Sequence, residues 1–334
     1  MARVLILKMS ALGDVVVAAA HVERILEHHR TDEVWLLTGP EAACLFTHHP
    51  QLRTAVLDRG RGRPWQGTWA RVLWVRQKRF AVVYDLQGNR TSRRLVRWSG
   101  AGRRVGTQPL SVYDLHPTLP YDRDTAQNVF DRLNETLVSG GVPPAPAAVS
   151  FHVCGVDRAK VEGWRVDRGL LAGGFACLHA GSSPGWPSKR WPRESFRHLA
   201  LMLEQRGLPC VWVGGRADRE VNGWLARRVG VDATGLFSPV QLYELARTAR
   251  LAVANDSGPM HLFAAACIPV FGLFGPTSWI RSHGLGQKDR VVHGSAPCSP
   301  CFKGRCPDGK GHVCLGGIPP EAVMEKIWQQ GVVE

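Results

Sequence analysis

Short β-rich apolar runs alternate with helix-length segments along nearly the whole chain, which confines the fold to parallel sheets covered by helices. In the first half strands are expected at Arg3–Lys8, Val34–Leu37, Thr54–Leu57, Ala81–Leu86 and Arg103–Val105. In the second half they are expected at Phe175–His179, Cys210–Gly214, Leu251–Ala254, Pro269–Phe274 and Arg290–His293. Between the halves, Gly140–Ser150 reads GGVPPAPAAVS. Proline fixes φ and blocks helix continuation, so a linker begins there. A helix over Val156–Val166 completes the crossing, and consecutive prolines open a last helix at Pro320–Gln330. The 334 residues therefore divide into Rossmann-like domains at 1–150 and 175–317, a linker region at 151–174 and a closing segment at 318–334.

The N-terminus, MARVLILKMSALGDVVVAAA, has the apolar look of a secretory signal, but Lys8 and Asp14 interrupt it. It reads as strand, turn and helix, and secretion is rejected. No run is apolar for the length of a bilayer span. Of the nine cysteines, Cys44, Cys154, Cys177, Cys210 and Cys267 stand singly. Such spacing suits buried thiols in a reducing compartment, the cytosol. The formal charge is +14, with arginines densest at Arg90, Arg93, Arg94, Arg97, Arg103 and Arg104. A second basic cluster contains Arg71, Arg76, Lys78 and Arg79. An anionic partner is expected there: nucleic acid, an acidic membrane surface or a phosphorylated substrate. Solvated helix faces are the plainer explanation.

In open α/β sheets ligands sit beyond the carboxyl ends of the strands, and four loops at such ends are unusual. The first, Ser10–Asp14, puts a carboxylate at a helix start, where Asp14 is either a cap or a general base for an acceptor hydroxyl. The second runs from His179 through Ser182 and Ser183 to Lys189 and Arg190; its hydroxyls, N–H groups and cations are the donors a diphosphate needs. The third, Asn255–His261, leads through Asp256, Ser257 and Gly258 into a helix whose N-terminus is a second anion site. Helix capping by Asp256 or Ser257, and inward packing of His261, are the alternatives there. The fourth, Phe274–Thr277, floors the same region. Neither opening turn carries G-x-G-x-x-G, which argues against a dehydrogenase, and no G-x-S-x-G elbow is present.

Together these segments resemble the bacterial lipopolysaccharide heptosyltransferases, the ADP-heptose-using glycosyltransferase family 9. The resemblance runs almost end to end, through Leu5–Asp14 (LILKMSALGD), Lys189–Pro192 (KRWP), Asn255–His261 (NDSGPMH), Leu273–Thr277 (LFGPT) and the C-terminal cysteines. It implies a GT-B fold: two facing Rossmann-like domains with parallel sheets, the acceptor on the first, the nucleotide sugar on the second, and the C-terminal helix crossing back to the first. It also implies inversion at the anomeric carbon without a protein nucleophile, Asp14 as base, and no cofactor for catalysis. Lys189, Ser182, Ser183, Asp256, Ser257, Gly258 and His261 would bind the ADP-heptose donor. The Ser182–Lys189 loop, SSPGWPSK, has Trp and Pro residues beyond the shortest family versions, which leaves open which serine meets which phosphate. The implied acceptor is the phosphorylated lipid A core, with Ser10, Arg90, Arg93 and Arg94 on the acceptor side. The implied location is the cytoplasm, peripheral to the anionic inner face of the membrane. Trp65, Trp69 and Trp74, interleaved with Arg63, Arg71 and Arg76, either rest at that interface or pack inward.

Cys298, Cys301, Cys306 and Cys314 give C-x2-C-x4-C-x7-C with His312 nearby. Four thiolates in one short loop can hold a structural zinc; free or oxidisable thiols, or an Fe–S cluster, are the alternatives. The cluster is expected to brace the segment returning to the N-terminal domain. A different class of protein, a basic nucleic-acid binder with a zinc module, fits the charge and the cysteines. It gives no reason for the serine, lysine and aspartate loops at strand ends, and no recognition helix is visible, so no nucleic acid is expected. A glycosyltransferase of the same fold using another nucleotide sugar is the nearer alternative.

Overall fold

The computed structural model describes residues 1–56, 64–121, 127–307 and 309–333, with the side chains of 64–68 excepted. Leu57, Arg63 and the Trp65 side chain lie outside the described residues. The chain divides into two compact units, Met1–His152 and Val153–Glu334.

The first unit holds a parallel sheet of β1 (Arg3–Leu7), β2 (Glu33–Thr38), β3 (Leu52–Val56), β4 (Val82–Asp85) and β5 (Arg103–Gly106) in the order β3-β2-β1-β4-β5. β1 is buried from Val4 to Leu7 because both sheet faces are covered, so its residues are apolar without alternation. The register pairs Leu7 with Leu37 on one side and with Asp85 on the other. The order reverses between β1 and β4, so the loops leaving these two strands diverge to opposite faces and leave a crevice between them.

The second unit repeats this logic with β6 (Ala176–His179), β7 (Cys210–Trp212), β8 (Val231–Asp232), β9 (Leu251–Asn255), β10 (Val270–Phe274) and β11 (Val291–His293), ordered β11-β10-β9-β6-β7-β8 and parallel throughout. Its reversal lies between β9 and β6. One core cluster joins Trp191, Phe196, Leu199 and Trp212 to Phe271 and Leu273. Removing each such side chain from water contributes about 1.5–3 kcal/mol.

All ten expected strands are present, and the two-residue β8 is an addition too short to show a pattern. Two segments belong elsewhere than expected. The Gly155–Val166 helix is not a free linker, for Lys160 Nζ and Asp157 Oδ1 both bond the Gln241 side chain, at 3.0 and 2.6 Å, within the second unit. The closing helix, Pro320–Gln329, was expected to return to the first domain. It instead inserts Val323, Met324 and Ile327 into the core containing Phe196 and Leu199. These three positions form one apolar stripe, and that core is where the stripe is buried.

Candidate functional site

In the first unit, polar groups converge where β1 and β4 end. Lys8 follows β1 and is 5% exposed, its Nζ donating to Leu86 O at 3.1 Å. The Met9 N–H donates to Gln87 Oε1 at 2.9 Å. Asp85 closes β4 fully buried and accepts from Gln87 N (3.0 Å), Gly88 N (2.9 Å) and Tyr113 Oη (2.7 Å). Burial pushes the Asp85 carboxyl up, and these donors with Ser92 oppose the rise. Burial pulls the Lys8 ammonium down, against the charges of Asp14 and Asp85. Burial and the Asp85 charge together raise the Tyr113 phenol.

Asp14 stands apart from this buried network. It is exposed, three residues into the Leu12–His28 helix, whose N-cap is Ala11 with no side-chain bond. Asp14 is therefore not the cap, although the helix start still favours its negative charge. Ser10, on the same turn, has its Oγ buried without a hydrogen-bond partner among the described residues.

The helix Arg90–Trp98 leaves β4 through a capping box in which Asn89 Oδ1 accepts from the Thr91 and Ser92 N–H groups. Its spacing sends Leu95 and Val96 inward and keeps Arg90, Arg94 and Arg97 outside. Arg93 is half-buried and its charge reaches Tyr113. The tryptophans of the preceding helix divide. Trp69 is 54% exposed and meets the ring of Trp98, itself 45% exposed, at 6.4 Å. Trp74 turns inward, edge-on to Trp35 at 5.5 Å and close to Phe80. Trp98, not singled out from the sequence, is exposed instead.

In the second unit, the loops leaving β6 and β9 are tied together by Asn255, whose Nδ2 donates to Ala180 O (2.9 Å) and Gly181 O (3.0 Å). Its Oδ1 accepts from the Trp191 N–H at 3.0 Å, so one buried side chain at the end of β9 holds both the start and the far end of the loop leaving β6. Lys189, 19% exposed, reaches Asp256 Oδ2 at 2.8 Å, and the same oxygen accepts from Thr277 Oγ1 at 2.6 Å. An ammonium has three donors. Asp256 takes one of them, and the ammonium also lies over the Trp186 ring, 4.9 Å from its centroid. Ser182 is buried, donating to Trp186 O (2.8 Å) and accepting from Arg190 Nε (3.1 Å), so it shapes the turn. Ser183 is exposed.

Ser257 is the N-cap residue of the Gly258–Ala265 helix but makes no side-chain cap. Its Oγ bonds His179 Nδ1 at 2.9 Å instead. No side chain of the cap residue thus covers the first-turn N–H groups, the partial positive charge of a helix start. His261 is buried inside this helix. Behind His179, Nε2 faces Asp218 Oδ2 at 3.7 Å. Burial would raise the Asp218 carboxyl, but the bond and charge of His179, the Gly215 N–H and Arg190 outweigh it and hold it low. Gly181 permits this approach, since a Cβ there would stand 2.0 Å from Asp218 Oδ1.

Residues 151–312 match the profile of glycosyltransferase family 9 (heptosyltransferase). They form a glycosyltransferase family 9 domain. The lipopolysaccharide heptosyltransferase 1 of Pseudomonas aeruginosa is 28% identical over 91% of this chain and 87% of its own length. The lipopolysaccharide heptosyltransferase 2 of Escherichia coli is 30% identical over 42% of each protein. Among solved structures, the glycosyl transferase family 9 protein of Veillonella parvula superposes with a TM-score of 0.82 at 20% identity, covering 98% of this chain and 96% of that one. E. coli heptosyltransferase WaaC with ADP superposes at 0.72, also at 20% identity, covering 98% and 99%. The fold, two parallel sheets with interleaved helices, is that of the GT-B heptosyltransferases.

The family 9 domain contains the loops around Ser182, Lys189 and Asp256 and all but the last of the clustered cysteines. Its presence makes the chain a glycosyltransferase. The sequence reading missed Lys8, Asp85 and Asp218. Lys8 and Asp85 carried a usable signal, each being a charge that closes an otherwise apolar strand (VLILK, VVYD).

Proposed function

We propose that the chain transfers a heptose from ADP-heptose to the lipid A–Kdo inner core of lipopolysaccharide, with inversion at the anomeric carbon. The observation that carries this reading is the anion site of the second unit. Lys189 is aimed by Asp256 and Thr277, beside a helix start without a side-chain cap. The heptosyltransferase relatives support the choice of donor.

In the first unit, Asp14 takes the proton of the acceptor hydroxyl as its oxygen attacks. As the sugar–phosphate bond breaks, charge builds on the ADP leaving group. Lys189, Ser183 and the N–H groups of the Gly258–Ala265 helix stabilise that charge, so no metal or other cofactor is proposed for the transfer step. Ser182, Ser257 and His261 serve the donor through the shape of the site, and Gly258 through its backbone.

Arg90, Arg93 and Arg94, with Ser10, are proposed to meet the phosphorylated acceptor. Trp69, Leu73 and Trp98, exposed beside Arg94 and Arg97, are proposed to rest on the anionic cytoplasmic face of the inner membrane. Each such arginine adds about 1 kcal/mol of attraction to that surface. No helix among the described residues is long and apolar enough to cross a membrane.

A nucleotide-release assay over ADP-, UDP- and GDP-sugars with a lipid A core acceptor tests the reading. ADP release with ADP-heptose is expected; turnover of a UDP-sugar alone would overturn the donor. Flotation with anionic liposomes, lost in Trp69→Ala/Trp98→Ala and retained in neutral substitutions elsewhere, tests the membrane contact.

A further inference from the structure

Cys298, Cys301, Cys306 and Cys314 line one cavity, but among the described residues no three of their sulfurs lie within 4.8 Å of one another. Their segment does not brace a return to the first unit, as the sequence suggested. It bonds the loop leaving β6: the Ser188 N–H donates to Gly304 O at 3.1 Å, and Ser188 Oγ to Lys303 O at 2.6 Å. Two other buried side chains at these strand ends, His179 and Asp218, can titrate, and the transfer step leaves both unused.

His179 closes β6 at 3% exposure, and Asp218 is 5% exposed. The carboxylate reaches the ring because two glycines make room. A Cβ on Gly181 would stand 2.0 Å from Asp218 Oδ1, and one on Gly214 would stand 2.6 Å from Oδ2. A carboxylate accepts and does not donate. Nε2, which faces Asp218 Oδ2 at 3.7 Å, is therefore the nitrogen that carries the ring hydrogen. Nδ1 is then a bare acceptor, so in the 2.9 Å contact with Ser257 the hydroxyl is the donor.

That bond diverts Ser257 from the usual work of a serine at its position. Ser257 is the N-cap residue of the Gly258–Ala265 helix, where a serine oxygen ordinarily accepts from the N–H of the second or third helical residue. The second is Pro259, which has no N–H, so Met260 supplies the N–H that Ser257 would cap. The Ser257 backbone is extended, with φ −156° and ψ 170°, as a cap requires. The partner of the hydroxyl, not the backbone, keeps the cap unmade.

We infer that His179, oriented by Asp218, is a positioning residue of the donor site: it holds Ser257 off its own helix and so keeps the Met260 N–H open to the donor diphosphate. The inference rests on the donor reading given above. Anions bind at helix starts through the first-turn N–H groups. A capping serine occupies one of those groups, so cap and diphosphate compete for the same donor. Without nucleotide the helix start stays incomplete, and the diphosphate completes it.

The test is a double-mutant cycle on the full chain, read as ADP affinity by calorimetry. His179→Leu removes Nδ1 and frees Ser257 to cap, and ADP affinity should fall by roughly fivefold, the ordinary effect of one serine cap. The same substitution made on Ser257→Ala should cost no more than about twofold relative to Ser257→Ala alone, because alanine cannot compete for the N–H. His179→Asn, whose side-chain oxygen can stand where Nδ1 stands, should recover most of the loss. Equal losses from His179→Leu in both backgrounds overturn the inference, since His179 would then act without Ser257. Unchanged affinity in His179→Leu overturns it as well. If His179→Leu does not fold, Asp218→Asn takes its place in the cycle: it leaves the ring unoriented, and its loss should likewise vanish on Ser257→Ala. A loss from Asp218→Asn that persists on Ser257→Ala overturns the inference. Wild-type protein that binds no ADP overturns the donor reading itself, and the positioning role falls with it.

Discussion

The two switch points are built alike and charged differently. In the first unit the buried groups satisfy one another: Lys8 on a carbonyl, Asp85 on three donors, Tyr113 on Asp85. The Asp14 carboxylate, at the helix start after β1, is exposed. In the second unit the buried groups work to present positive charge, with Asp256 and Thr277 aiming Lys189 and His179 drawing Ser257 away from its helix start. One scaffold thus carries an exposed carboxylate at its first reversal and, under the proposed function, an anion site at its second. The difference lies in the residues that follow the strands, not in the sheet.

The sharpest break of this comparison is Asp14→Asn. If the two sites do different jobs, transfer should fall by roughly 10²–10⁴-fold, the range of a general base, with ADP affinity within about twofold of wild type. Weakened ADP binding in that variant would mean that Asp14 supports structure instead. The reciprocal change, Lys189→Ala, removes charge-assisted hydrogen bonds of about 1.5–3 kcal/mol and should weaken ADP binding by roughly 10–100-fold in calorimetry. Lys189→Arg should recover part of the loss, because Asp256 can aim either cation. Unchanged affinity in Lys189→Ala would end the assignment of the second site.

The sheets were legible because strands buried on both faces are written as continuous apolar runs, as in LILKMS and LAVAND. Asp14, Lys189 and Asp256 drew notice in the sequence because they follow the ends of apolar strands, where a charge needs a reason. Lys8 was passed over as a mere interruption of an apolar run. Its significance depends on Leu86 and Asp85, 78 and 77 positions away, which only the β1–β4 pairing brings near. Trp74 was left open between an interface and inward packing, and Trp98 received no assignment, because a tryptophan among arginines reads the same whether its ring faces Trp35 or solvent. The closing helix showed its apolar stripe clearly, but a stripe does not name the surface it covers.

A smaller effect probes how self-contained the first site is. Tyr113→Phe leaves the buried Asp85 carboxyl with one donor fewer, and hydrogen bonds to charged groups are worth about 1.5–3 kcal/mol. Stability should drop by roughly 2 kcal/mol in urea unfolding. ADP affinity should be untouched, since every group in this network lies in the first unit. A change in ADP affinity would show that the two switch points are not separable.

The smallest expected effect comes from His21, on the helix that carries Asp14. It is fully buried against Phe130, with Nε2 on Phe130 O at 3.1 Å, and burial pulls its pKa down to about 4 from 6.5. A lowered folded-state value means the unfolded chain takes up the proton first. The neutral ring's contribution is therefore present above pH 6.5 and is lost as pH falls toward 4. At pH 6 only the top of that window is entered, and linkage gives a loss of about 1 kcal/mol relative to pH 8. His21→Gln, which cannot titrate, should remove this slope from the first unit, read as hydrogen-exchange protection of the Leu12–His28 and Val129–Ser139 helices. His21 lies in the first unit, so ADP affinity should not follow its titration. An equal slope in wild type and variant would place the acid sensitivity elsewhere.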